Sequence, residues 1–135
     1  MKKYKIFVSG VQKELKGERR AIKDFILNDP LLLEYFDVFL FEDSPAKSKS
    51  AEAVYLDEVK KSDIYIGILG QKYGAAGKGK ASPVEAEFRE ANGDHKTILI
   101  YIKGENGKND KKRDEDIQRL IKEISDSKQG FSRKR

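Results

Sequence analysis

The chain predicts an α/β domain on a doubly wound, mostly parallel, flavodoxin-like sheet of four or five strands. Three observations carry this reading. Short apolar runs alternate four times with segments of helical period. One of those runs, Ile64–Leu69 (IYIGIL), is almost continuously apolar, as strands buried on both faces of a parallel sheet are. It ends in a glycine-rich loop that opens a helix bearing Glu85 and Glu87, the arrangement by which open α/β sheets build sites at strand C-terminal ends.

Residues 5–9 (KIFVS) read as the first strand. Over residues 11–27, Val11, Leu15, Ile22, Phe25 and Ile26 recur at helical spacing, with Ser9 as the expected N-cap and Pro30 as the stop. Residues 36–41 (FDVFLF) form the second strand, and a polar loop (EDSPAKSKS) leads to a helix at Ala51–Lys61. After the third strand and its loop, a helix runs from Pro83 to about Ala91, followed by a strand at Thr97–Ile102. Ile117, Leu120, Ile121 and Ile124 mark a last amphipathic helix. The domain core is then 1–103, with a charged loop and final helix over 104–127; residues 128–135 are a tail or the start of a truncated last strand.

Composition removes several function classes. At 135 residues the chain is one domain. Without cysteine and with a single histidine, His95 in a polar turn, no Cys/His zinc site or His-based nucleophilic catalysis is available. No metal and no resident cofactor are expected. No apolar run approaches the roughly 18 residues a membrane span needs, so the expected location is cytoplasmic, away from membranes. The net charge of +5 sits mostly in the tail: residues 1–102 carry 17 Lys/Arg against 16 Asp/Glu, residues 103–135 carry 11 against 7. With no aromatic platform beside it, this excess argues against nucleic-acid contact by the domain.

The loop after Ile64–Leu69, GQKYGAAGKGK, has neither the P-loop spacing nor GxGxxG. Its glycines, Gly74 among them, suit a mobile lid, a close backbone approach to a ligand, or simply a disordered loop. Tyr73 is placed to stack on a ring or to cover the sheet edge. Ser9 and Gly10 present backbone amides at a helix start, a general anion site. Asp43 and Ser44 are placed to bind a ribose or to cap their loop, and Asp63 has the position of a structural residue.

Ser82 and Pro83 are N-cap and first residue of the next helix. On that helix Val84, Phe88 and Ala91 share the face toward the sheet, about 65–70° from Glu87 and about 90° from Glu85 on the other flank. Glu87 is therefore the carboxylate for a half-buried place at the sheet edge, where burial raises a carboxyl pKa and suits it to acid/base or nucleophilic work; the alternative is that Glu85 and Glu87 are both ordinary surface residues, Glu85 favoured by the helix N-terminus.

The blocks KIFVSGVQKEL, FDVFLFED, YLDEVKKSDIYIGILGQKYG and SPVEAEFREA resemble a bacterial domain-of-unknown-function family, number 4062, over about residues 4–103. That family is similar to TIR and nucleoside deoxyribosyltransferase-like domains with a flavodoxin-like sheet. The resemblance implies the N-terminal module of a larger bacterial regulatory or defence protein that senses or signals through a nucleotide or NAD. The alternative it implies is an N-glycosidic-bond enzyme, an NAD hydrolase or deoxyribosyltransferase-like, with Glu87 as catalytic residue. It implies pocket roles for Ser9, Gly10, Asp43, Tyr73 and Ser82, a nucleotide-like small-molecule partner and self-association. Ser82-Pro83 stands where deoxyribosyltransferases usually carry Gly-Thr, and the Cys that TIR domains often place before this helix is absent.

Overall fold

In a computed structural model that describes residues 3–44, 51–76, 80–104, 111–126 and 132–134, five strands form one sheet. The strands are β1 (Tyr4–Ser9), β2 (Phe36–Phe39), β3 (Ile64–Leu69), β4 (Thr97–Ile102) and β5 (Ser132–Lys134). Their order is β2-β1-β3-β4-β5 and every pairing is parallel, the flavodoxin-like order, which puts a ligand crevice outside the C-terminal ends of β1 and β3.

The helices are α1 (Gln12–Asn28), α2 (Pro30–Tyr35), α3 (Ala51–Lys61), α4 (Pro83–Gly93) and α5 (Glu115–Asp126). Strand side chains alternate between two cores. Ile6, Val8, Ile66 and Ile68 pack with Leu15 and Ile26 of α1. Phe7, Tyr65 and Leu69 pack with Val59 of α3, Phe88 of α4 and Leu120 of α5. Beside α1 the first face leaves an apolar groove of about 530 Å³ between Phe25 and Tyr101, with the Glu18–Lys103 ion pair at its rim.

Three boundaries differ from the sequence expectation. Pro30 begins a helix instead of merely ending one: Asp29 accepts from the Leu31 and Leu32 N–H groups, and proline at N1 has no N–H to lose. β2 stops at Phe39, because residues Phe41–Asp43 close a 3₁₀ turn. Ser9 does not cap α1; Val11 holds the N-cap position without a side-chain bond. The loop expected over 42–50 lies partly outside the described residues, as do the tail residues 128–131. Asp63 is structural, exchanging hydrogen bonds with the Lys5 backbone.

Gly67 on β3 faces Ser9 across the β1–β3 ladder. A Cβ there would stand 2.9 Å from Ile100 Cδ1 and 3.0 Å from Tyr65 Cε1. Gly67→Ala is therefore expected to cost about 1–3 kcal/mol through overpacking, read as a lower urea midpoint at unchanged m-value.

Candidate active site

β1 ends in Ser9 and Gly10 at the C-terminal edge of the sheet, both buried. Gly10 suits its place because a Cβ would lie 3.2 Å from both the Ile68 carbonyl oxygen and Leu15 Cδ1, closer than most Cβ contacts, and its φ is +159°. From the opposite side comes α4. Ser82 caps it, accepting from the Glu85 N–H, and Pro83 takes the first helical position. Val84, Phe88 and Ala91 bury its sheet face, which turns Glu87 toward β1. There Ser9 Oγ donates to Glu87 Oε1 at 2.7 Å, and Glu87 is only 6% exposed. Among the described residues Glu87 Oε2 has no hydrogen-bond partner.

Burial raises the Glu87 pKa to about 7; the Ser9 bond and the Arg19 charge pull it down, and the Glu42 charge pushes it further up. Arg19 of α1 is itself buried. It donates through Nη1 to the Gly10 carbonyl at 2.8 Å, and through Nε and Nη2 to Glu42 at 3.0 and 2.6 Å. Burial acts to raise Glu42, but the Arg19 bonds outweigh it and hold that carboxyl below its ordinary value. Tyr65 completes the cluster. It is fully buried on the face of β3 that Gly67 shares, and burial followed by the Glu87 charge drives its pKa upward.

Glu85, two residues from Glu87, meets the opposite environment. Although it is 5% exposed, it accepts from Tyr73 Oη at 2.6 Å, Arg119 Nη2 at 2.7 Å and Arg89 Nη2 at 2.8 Å. Burial raises its pKa, but the Arg119, Tyr73 and Arg89 bonds together bring it to about 2. One helix thus carries a permanently ionised glutamate on one flank and a glutamate poised near neutrality on the other.

The remaining sequence-predicted residues divide between these flanks. Tyr73 is buried on the Glu85 side; its hydroxyl also accepts from the Ser82 N–H at 3.1 Å, and Arg119 stands 5.9 Å over its ring. Gly74 has φ +95°, a conformation favouring glycine, and lies against Val11 and Ser82, bringing the loop beside the β1 turn. The start of that loop is tied down: Glu14 accepts from the Gln71 and Lys72 N–H groups at 2.7 and 3.0 Å, and Arg113 donates to the Gly70 carbonyl. Residues 77–79 of the expected lid lie outside the described residues.

Asp43 points elsewhere. It pairs with Arg20 at 2.5 Å and Lys23 at 2.6 Å, whose hydrogen bonds hold its pKa at about 2. Its neighbour Glu42 is the acid that enters the cluster. Among the described residues no group of three or more His, Cys, Asp or Glu side chains could hold a metal ion, and no helix is long and apolar enough to cross a membrane.

The sequence reading passed over Arg19, Glu42 and Tyr65. Arg19 had a signal: it sits in register with Leu15, Ile22 and Ile26 on the apolar stripe of α1, where a charge needs a buried partner. Tyr65 also had one, a polar tip inside a buried strand with glycine two residues on.

The family model for the domain of unknown function DUF4062 matches residues 5–135. No curated protein sequence matches the chain. Among solved structures, a 2-desoxiribosyltransferase from Leishmania mexicana is similar in fold at 11% identity and TM-score 0.53, over 75% of this chain and 65% of that one. This chain therefore spans about two thirds of that protein's length. A conserved protein from Enterococcus faecalis V583 matches at 12% identity and TM-score 0.52, over 94% of this chain and 77% of that one. The CMP N-glycosidase BcmB of Clostridium botulinum matches at 16% identity and TM-score 0.45, over 73% of this chain and 71% of that one.

Proposed function

This chain belongs to the DUF4062 family, and we propose that its Glu87 site acts on the N-glycosidic bond of a nucleoside, nucleotide or NAD. The observation that carries the reading is Glu87 itself: a buried carboxylate with one oxygen tied to Ser9 at the C-terminal edge of β1 and β3, its pKa raised by burial to about 7. The fold likeness to a protein named as a deoxyribosyltransferase supports the substrate class.

In this reading the ionised Glu87 is the nucleophile or the stabiliser of an oxocarbenium ion. As nucleophile, Oε2 attacks the anomeric carbon. The C–N bond breaks and its electron pair leaves with the base: an anionic nucleobase takes a proton from water, whereas the nicotinamide of NAD leaves neutral and takes none. Hydrolysis of the glycosyl ester then restores the carboxylate and releases a proton. Because the ionised form is required, kcat/KM rises with pH through about 7 and levels off above it.

A second reading follows from how closed the cluster is, with Ser9 at 0%, Arg19 at 2% and Glu87 at 6% exposure. Such a site also suits a non-catalytic module of a larger regulatory or defence protein, one that senses a nucleotide-like ligand or self-associates. The two readings separate on incubation of the intact protein with NAD, nucleosides and nucleoside monophosphates. Release of free base supports the enzyme; thermal stabilisation by a ligand without release overturns it in favour of the module.

A further inference from the structure

We propose that Arg19 is a positioning residue for Glu87: its guanidinium, locked on Glu42, holds the Gly10 carbonyl and with it the turn that keeps the Ser9 hydroxyl on Glu87 Oε1, leaving Oε2 to a ligand. The proposal deepens the reading of Glu87 as the reacting carboxylate and rests on it for its functional meaning.

Ser9 ends β1, and Gly10 and Val11 make the turn into α1. The turn does not cap the helix by itself, since Val11 holds the N-cap position without a side-chain bond. Leu15 then leaves helical geometry, at φ −114° and ψ 22°, so the first turn of α1 is kinked against the rest. Arg19 stands one turn beyond that kink. Helix side chains tilt toward the N-terminus, and Arg19 reaches back past Leu15 to donate from Nη1 to the Gly10 carbonyl at 2.8 Å. Among the described residues this is the only hydrogen bond to that carbonyl, and a buried carbonyl needs a partner.

The guanidinium is aimed at Gly10 by what its other nitrogens hold. Nε and Nη2 donate to the two Glu42 oxygens at 3.0 and 2.6 Å, a two-point pairing that fixes the plane of the group. Nη1 is left pointing in the direction that plane sets. Gly10 also packs closely on β3 and α1, where a Cβ would lie 3.2 Å from the Ile68 carbonyl oxygen and from Leu15 Cδ1. Held at its carbonyl and packed at its Cα, the residue after Ser9 has one orientation. The buried Ser9 hydroxyl, 2.7 Å from Glu87 Oε1, is aimed by it.

Charge and aim are separable at this position. Lysine keeps a positive charge beside Glu42, but its ammonium is a point charge on a flexible stem and has no fork to set a plane. The charged and titratable groups facing Glu87 are Arg19 of α1, Glu42 after β2 and Tyr65 of β3, with Ser9 of β1 as its hydrogen-bond partner.

The test follows the Glu87 carboxyl by carbon NMR through a pH titration of the intact protein, its resonance assigned by its loss in Glu87→Gln. The Ser9 bond favours the ionised carboxylate, so Ser9→Ala raises the Glu87 midpoint and sets the ceiling for any loss of aim. Arg19→Lys is expected to raise it by roughly 0.3–1 pH unit and to add nothing on the Ser9→Ala background. An unchanged midpoint in Arg19→Lys, or the same shift with and without Ser9, overturns the proposal. Arg19→Met with Glu42→Gln removes the ion pair as a whole and covers the case of an unfolded lysine variant. Its shift is expected to be larger with Ser9 than in Ser9→Ala; equal shifts overturn the proposal.

The Ser9 Cβ resonance reports the same bond from the other side. It follows the Glu87 titration in the wild type and follows it with reduced amplitude in Arg19→Lys; equal amplitudes overturn the proposal. Neither measurement uses substrate, so their failure is distinct from a failure to release base.

Discussion

Glu87→Gln is expected to stabilise the protein by up to about 3 kcal/mol at pH 8, while leaving it nearly unchanged at pH 4. The native carboxyl titrates near 7, against 4.5 when unfolded. Below pH 4.5 both states hold the proton, and burial of the neutral acid is tolerated. Between 4.5 and 7 the unfolded chain releases its proton while the native state keeps it, so stability falls as pH rises. Above 7 both are ionised, and the native state carries the full cost of a buried charge. Glutamine removes this pH dependence. Its Oε1 can still accept from Ser9, but its amide group needs an acceptor of its own, which lowers the gain. Urea midpoints at the two pH values check this; a variant less stable than wild type at both contradicts it. A stability gain bought by deleting the candidate reactive group is the trade-off expected of a functional residue.

Arg19→Ala has the second largest expected effect, a loss of about 2–4 kcal/mol. The change strands the Gly10 carbonyl oxygen and the Glu42 carboxylate, which lose 2.8, 2.6 and 3.0 Å bonds together. Glu42 keeps a 24% exposed side chain and so recovers some hydration, which holds the cost below that of a fully buried pair. Replacing both partners, Arg19→Met with Glu42→Gln, removes the unpaired charge and is expected to recover part of the loss. Equal urea midpoints for wild type and Arg19→Ala would show that the buried guanidinium contributes nothing.

Much of the fold was legible because its signals are local. Continuous apolar runs located β3 and β4 to the residue, and the Ser82-Pro83 pair located the start of α4. The short α2 was not, because its six residues form a helix only with Asp29 supplying two capping bonds. In the site, helical angles separated Glu87 from Glu85. They could not reveal that Glu85 is buried too, since that depends on Arg119, 34 residues away in sequence. The same holds for Glu42, whose partner lies 23 residues earlier, and for the Ser9–Glu87 bond across 78 residues. Tertiary partners of this range have no periodic signature. Their trace is the misplaced polar residue, such as Arg19 in an apolar stripe.

Free-base release from NAD, nucleosides and nucleoside monophosphates, measured side by side for wild type, Glu87→Gln and Glu85→Gln at matched folded fractions, tests the central claim most directly. Loss of release on the order of 100-fold or more in Glu87→Gln, with release retained in Glu85→Gln, is the predicted result. Release that survives in Glu87→Gln contradicts it.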